Sequence, residues 1–455
     1  MSARQKQIVL LASVLIALTR FAATARTLFD WDEALFVSAV RDYDVTQHHP
    51  HPPGYPLFIA AAKAVHAVVG DEFRALQVVV TIGACFLFPA LFFLARELGF
   101  DFATSALGAA LFVFLPNVWL YGGTAFSDVP ATTLAFVACA LLLRGRKDDR
   151  AYLFGALLLG IAAGFRTPNL LIGALPALLA TTHRLRAKTY ASVACAILEG
   201  AAIVLASYAG AALASTGIAD YRESLEVQSR YVHDVDSFHN PVRGPLWNVF
   251  VAFVLHPFQH LHALHAMELA AAIAFVAAIV RRKRAVLLTV AMFAPLAIVT
   301  VLEFDVNAAS RYAIGFLAAH ALLAAYGCGV LFRSARMQTI ACAVLIAVFI
   351  YVAFPAVIEQ RTADAPSIAA LRYAAQHVPH DATLYIHGSM RPHADALLAD
   401  RQRTYYVNLT SVHGPNAWVI DQRVHEGAVN FVRPRNATWR VLRQRNFEAS
   451  VYALP

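Results

Sequence analysis

Charge is scarce in this sequence. Only 15% of its 455 residues are Asp, Glu, Lys or Arg, against roughly 25% in an ordinary soluble domain. Hydrophobic residues make up 59%, more than a water-soluble core can hide, so a soluble globular enzyme is excluded and the chain falls in the membrane class. Lysine is nearly absent, with 5 against 32 arginines, an imbalance that reads as genome composition. The net charge of +8 does not predict a nucleic-acid partner, because many arginines sit in short loops between apolar runs. That is how a membrane protein fixes its orientation. Cysteine is sparse too: Cys85, Cys139, Cys195 and Cys342 lie inside apolar stretches, Cys328 lies near the end of one, and the polar tail has none. A disulfide framework or a cysteine zinc site is thereby disfavoured. Neither an internal repeat nor a low-complexity linker interrupts the chain.

What is present is a succession of apolar runs near the roughly 20 residues needed to cross a bilayer. They predict about eleven transmembrane helices, near 8–25, 74–95, 102–121, 127–143, 151–165, 168–182, 189–211, 263–280, 285–302, 311–332 and 338–356. The first has basic neighbours at Arg4 and Lys6 but no convincing small-x-small cleavage site, and reads as a retained helix rather than a signal peptide. With the N-terminus inside, the inner loops are 96–101, 144–150, 183–188, 281–284 and 333–336. Each carries arginine, as the positive-inside rule requires. An odd number of spans then places the tail outside. The expected architecture is an all-α polytopic membrane unit over 1–356, followed by a C-terminal extracytoplasmic α/β domain over 357–455.

Three outer segments are more than turns. In the first outer loop, 26–73, Trp31–Tyr43 has helical apolar spacing and Gly54–Val69 is apolar but short, so both predict interfacial helices. The segment Thr216–Pro245 is polar and aromatic, and Leu246–Leu261 reads as another interfacial helix. In the tail, Ser367–His377 and Arg391–Ala399 predict helices, while Thr383–His387, Thr404–Val407, Trp418–Ile420 and Ala428–Val432 are strand-like. This alternation suggests a small α/β domain with a parallel sheet.

Chemistry is expected where polar residues resist the membrane pattern. Asp30, Asp32 and Glu33 follow the first helix directly. Carboxylates at such a boundary suit a general base, and equally suit an acidic helix start capped by Asp30. Next, His48-His49-Pro50-His51-Pro52-Pro53-Gly54-Tyr55-Pro56 makes a rigid elbow whose histidines can face phosphate or metal; an interfacial turn is the plainer reading. Asp128, in Phe126-Ser127-Asp128-Val129-Pro130, opens a helix on the same side as Asp32; a Ser127 or Asp128 cap with Pro130 in the first turn is the plainer reading. Arg166 and Arg311 lie at outer helix ends, against the topological preference for arginine. Guanidinium so placed is a natural partner for a phosphate, with snorkelling as the alternative and Glu303 and Asp305 available to neutralise Arg311. Asp32, Asp128 and His51 are weak candidates for a metal. Glu199 lies nearer the inner end; His256, His260, His262 and His265 read as part of an interfacial helix; and the sequons at Asn408 and Asn436 matter only in a glycosylating pathway.

The order Trp-Asp-Glu-x-x-Phe at 31–36, His-Pro-Pro-Gly-Tyr-Pro-Leu-Phe at 51–58 and Ser-Asp-x-Pro at 127–130 resembles polyprenyl-phosphate-sugar-dependent glycosyltransferases of the GT-C fold. The protein-mannosyltransferase-like and aminoarabinose-transferase-like branch (families 39 and 83) is the most similar in pattern. The resemblance spans roughly 8–330; Arg-Thr-Pro-Asn and Ser-Arg-Tyr are shorter matches, and the tail has none. It implies sugar transfer from a polyprenyl-phosphate donor, with inversion, in a bacterial inner membrane. Asp32, with Glu33 beside it, would take the acceptor proton or orient the acceptor, and Asp128 would be the second acid. Arg166 and Arg311 would hold the departing lipid phosphate, and His51 and Tyr55 would shape the pocket. Some members use a divalent metal, Mg or Mn. A lipid or sugar transporter would instead spread polar residues across the membrane with discontinuous helices near its midplane. A non-catalytic assembly protein would have no need of the intact acidic set.

Overall fold

A computed structural model describes residues 1–258, 262–409, 414, 416–432 and 448–454. His260 and Asn436 fall outside the described residues. Among the described residues, seven helical segments are long and apolar enough to cross a membrane: Ala3–Ala22, Glu72–Leu98, Tyr190–Ala214, Leu264–Arg281, Arg284–Glu303, Ile314–Phe332 and Ala335–His377. The last comprises helices Ala335–Thr362 and Pro366–His377. Their outward faces are those of an integral membrane protein. Leu10, Leu11 and Leu18 of the first helix and Leu198 and Leu205 of Tyr190–Ala214 are all exposed, a cost in water that lipid removes. Three more helices, Asp128–Arg144, Asp149–Phe165 and Leu170–Arg186, have 17 residues each. The expected span at 102–121 is broken into Phe102–Val113 and Pro116–Tyr121, because Pro116 can donate no backbone hydrogen bond and instead starts a new helix.

The first outer loop forms both expected helices, Trp31–Arg41 and Pro56–Val69. Between them the histidine-proline elbow is folded back by Asp44, whose backbone exchanges hydrogen bonds with His49 in both directions, and by Tyr43, whose hydroxyl donates to the Gly54 carbonyl at 3.0 Å. Gly54 has φ +105°, and a Cβ there would lie 2.5 Å from the Tyr43 hydroxyl, so no other residue fits. The polar stretch 216–245 is more ordered than its sequence suggested, with a helix at Ile218–Tyr231. The expected helix at 246–261 is a short α-turn, Leu246–Phe250, continued as a π-helix, Val251–Leu255.

Among the described residues the tail carries a five-stranded sheet: β1 Thr383–His387, β2 Arg403–Tyr406, β3 Ala417–Asp421, β4 Val429–Val432 and β5 Glu448–Ala453. Spatial order is β2-β1-β3-β5-β4. β1 pairs in parallel with β2 and β3, whereas β5 is antiparallel to both β3 and β4. The sheet is therefore mixed, and β5 was not anticipated. Leu384 and Ile386 of β1, Ile420 and Val451 join Leu371 and Ala374 of helix Pro366–His377 in a core separate from that of the membrane helices. The short helix Arg391–Leu397 packs against Trp31–Arg41, so the tail rests on the first outer loop.

Candidate functional site

Local sequence explains how the acidic segment is held. Asp30 caps helix Trp31–Arg41, and Glu33 completes a reciprocal capping box. Glu33 is fully buried. One carboxylate oxygen accepts from the Phe29 and Asp30 amides at 2.8 and 3.2 Å, and the other accepts from Ala125 at 2.8 Å. Glu33 therefore ties the first outer loop to the loop preceding Asp128. Burial pushes its carboxyl up to about 8 even against those amide donors. The Ala125 loop is fixed from below as well. Gly123 lies so close to the Ala23 carbonyl that any side chain there would collide with it, and the Gly123 carbonyl accepts from Ala25 and from Gln77.

With the caps satisfied by Asp30 and Glu33, Asp32 is free to face inward. One of its oxygens lies 2.7 Å from an Arg311 guanidinium nitrogen and the other 3.8 Å from His51 Nδ1. Burial alone would raise the Asp32 carboxyl, but His51 and Arg311 outweigh it, with Arg166 adding, and hold it down at about 2. His51 is in turn shifted downward, first by burial and also by the two arginines, with Asp32 opposing. His51 Nε2 is 2.8 Å from the Tyr55 hydroxyl, and Phe36 packs against both rings.

Arg166 and Asp128 make the second pair, at 3.3 Å with both side chains nearly buried. Arg166 also reaches Ser127 Oγ and lies 5.4 and 5.9 Å from the Tyr312 and Tyr55 rings. Arg311 sits 4.7 Å over Phe126 and 4.5 Å over Tyr312, and it donates to the Tyr312 hydroxyl at 2.6 Å. Ring faces at these distances attract a cation, and a guanidinium, more weakly hydrated than an ammonium, suits such a buried site better. Glu303 and Asp305 are not the ion-pair partners of Arg311 among the described residues; Asp32 is.

Asp128, Arg166, Asn169, Arg311 and Tyr312 line one recess, whose enclosed volume of about 20 Å³ is room for a single water. The Asp128 Oδ2 and Asn169 Nδ2 atoms are buried without a hydrogen-bond partner, so both an acceptor and a donor are left over beside the two guanidinium groups. The structure thus brings Asp32, Asp128, Arg166, Arg311, His51 and Tyr55 together. Glu33 is beside them but turned into the backbone. Sequence reasoning missed Asn169, Tyr312 and Phe126. The first two sit inside the short Arg-Thr-Pro-Asn and Ser-Arg-Tyr motifs and could have been found there. His393, on the tail helix, was also missed. It is buried against the Phe29 and Asp30 backbone, and burial lowers its ring to about 4.

A divalent metal fits these residues poorly. Both candidate carboxylates face a guanidinium, which would repel a cation. No group of three His, Cys, Asp or Glu residues with ligand geometry occurs among the described residues.

Compared with known proteins, the chain matches no family profile and no curated protein. Solved structures do match. ArnT from Cupriavidus metallidurans bound to undecaprenyl phosphate aligns with a TM-score of 0.58 at 11% identity, over 99% of this chain and 98% of that one. The oligosaccharyltransferase AglB from Archaeoglobus fulgidus, in complex with an inhibitory peptide and a dolichol-phosphate, aligns with a TM-score of 0.54 at 12% identity over 88% of this chain. The chain spans only about two thirds of that enzyme's length, 65%. At such identities the likeness is one of fold: the chain has the GT-C fold.

Proposed function

We propose that this protein is a membrane glycosyltransferase that moves a sugar from a polyprenyl-phosphate-linked donor to an acceptor at the outer face of a bacterial inner membrane. The observation that carries the reading is the pair of nearly buried arginines, each held by a carboxylate and by aromatic faces, at one mouth of a GT-C membrane unit. Two buried guanidinium groups are a costly arrangement for stability alone and a fitting one for a phosphate whose charge grows as it leaves. The likeness to a structure bound to undecaprenyl phosphate supports the same choice. We also take 1–356 as the catalytic unit and 357–455 as an extracytoplasmic domain.

Asp32 is fully ionised in the free protein, and at about 2 it is a weak base. Donor binding changes that. A phosphate drawn to Arg311 competes with Asp32 for the guanidinium, and the carboxyl rises as its counter-charge is shared. Asp32 then takes the proton from the acceptor nucleophile as that nucleophile attacks C1 of the sugar. The C1–O bond to phosphate breaks, with its electron pair passing to the lipid phosphate held by Arg166 and Arg311. Attack opposite the leaving phosphate inverts the anomeric centre. Asp128 holds Arg166 in place, and His51 and Tyr55 wall the pocket on the side of Asp32.

The test is binding of undecaprenyl phosphate to the detergent-solubilised protein. Arg166→Gln and Arg311→Gln should each weaken it by at least tenfold, and the exposed control Arg222→Gln should leave it unchanged. Equal binding by all four proteins would sink the assignment.

A further inference from the structure

At the far end of helix Ile314–Phe332 from Arg311, about 28 Å along its axis for 19 residues, lies a second recess of about 410 Å³. It is framed where three chain turns meet. Arg281 ends one membrane helix and Lys283 precedes the next; Arg333 follows Ile314–Phe332, and Gln338 lies in the first turns of Ala335–Thr362. Tyr326 and Asp101 complete it.

Its electrostatics are one-sided. Asp101 is its one acidic lining residue, and both Asp101 oxygens are occupied by the Thr104 amide and hydroxyl, at 2.8 and 2.9 Å, in capping the next helix. Arg281, Lys283 and Arg333 make no ion pair among the described residues. The floor is built rather than incidental. Gln338 is buried and is fixed by donating to Thr104 Oγ1 and the Ala325 carbonyl, at 3.2 and 2.9 Å. Isolated loop arginines would satisfy the topological rule without converging on a cavity. Around the rim the flanking helices expose Ile279, Val280, Leu331, Phe332, Met337 and Ile340, so acyl chains can run down from the recess.

We propose that this recess binds the phosphate of an anionic lipid headgroup in the leaflet opposite the sugar-transfer site. Cation donors on two turns, Arg281 and Lys283 on one and Arg333 on the other, match a phosphodiester, and the exposed apolar rim selects a lipid over a soluble phosphate. The site is separate from the donor recess, and its failure leaves the proposed activity untouched.

The test is native mass spectrometry of the full chain released from mixed micelles containing phosphatidylglycerol, with inorganic phosphate as the soluble probe. The combination Arg281→Gln, Lys283→Gln and Arg333→Gln should weaken lipid retention by about fivefold for each cation removed. Since removing inner-face cations can disturb insertion, Gly329→Leu serves as the charge-neutral variant. Gly329 lines the recess, and a Cβ there already meets the Gln338 amide at 3.0 Å. It should reduce retention while every charge stays in place. The control Arg144→Gln, Arg146→Gln and Lys147→Gln, in another loop on the same face, should retain lipid as the wild type does. Competition by inorganic phosphate at the same residues would keep the phosphate chemistry and assign a soluble source. Equal retention in wild type, triple variant and Gly329→Leu, or an equal loss in the control, would overturn the proposal.

Discussion

Asp32→Asn separates a catalytic role from a structural one, because it should move two measurements in opposite directions. In the wild type the Asp32 carboxylate occupies Arg311 at 2.7 Å, and a donor phosphate must draw the guanidinium away from it. A hydrogen bond to a charged group contributes about 1.5–3 kcal/mol. Replacing the carboxylate with a neutral amide removes most of that competition, so undecaprenyl phosphate should bind at least about tenfold more tightly. Turnover should fall instead, by about 10²–10⁴-fold, the usual contribution of a positioned general base. The stacking of Arg311 on Phe126 and Tyr312 keeps the guanidinium in place in the variant. The assays are equilibrium binding of undecaprenyl phosphate and single-turnover transfer of labelled sugar on the same purified sample. Weaker binding together with slower transfer would mean that Asp32 only holds the site together. Undiminished transfer would remove it as the base.

Other outcomes follow from the same geometry. Glu33→Ala leaves three backbone amides without an acceptor and should cost about 3–6 kcal/mol, seen as lost thermal stability, whereas Glu33→Gln keeps one acceptor oxygen but turns an NH2 against the remaining amide, and should cost only about 1–3 kcal/mol while retaining transfer; an inactive, well-folded Glu33→Gln would make the carboxylate catalytic. Because the folded Asp32 carboxyl is lowered from 3.8 to about 2, its ion pair contributes about 2 kcal/mol above the ordinary carboxylate range, lost as pH falls toward 2. In Arg311→Gln the two Arg311 effects are lost while His51 and Arg166 remain, so the carboxyl rises and the acidic limb of the residual transfer should move upward from its wild-type position; a profile unchanged from wild type would contradict the pairing. Transfer should persist in EDTA, since arginines hold both carboxylates, and an activity restored only by added Mg or Mn would refute this.

Much of this was legible in the sequence because the signals were local. Apolar runs marked the membrane helices to within a few residues, and Pro53–Pro56 punctuation marked the start of Pro56–Val69. The break in 102–121 was visible in Pro116 but lay inside an otherwise unbroken apolar run. Asp32 and Glu33, adjacent in the chain, could not be told apart by composition. Helical geometry turns Glu33 back onto its own cap and Asp32 toward Arg311, a contact 279 positions away along the chain. Pairing of Arg166 with Asp128 and of Arg311 with Asp32, rather than with the nearby Glu303 or Asp305, depends on how the helix ends meet in space. β5 follows a long polar stretch and has only six residues, so its period-2 pattern was short. The seating of His393 under Asp30 joins segments that no local pattern connects.

Sugar transfer itself is measured by incubating the purified protein with a labelled sugar on polyprenyl phosphate and following free polyprenyl phosphate and labelled acceptor together in a membrane extract. Wild type should release the lipid phosphate in step with sugar transfer, and Arg311→Gln and Asp32→Asn should do so at least a hundredfold more slowly. Release of lipid phosphate by the wild type from none of the polyprenyl-phosphate sugars offered, or release by both variants at the wild-type rate, would contradict the assignment.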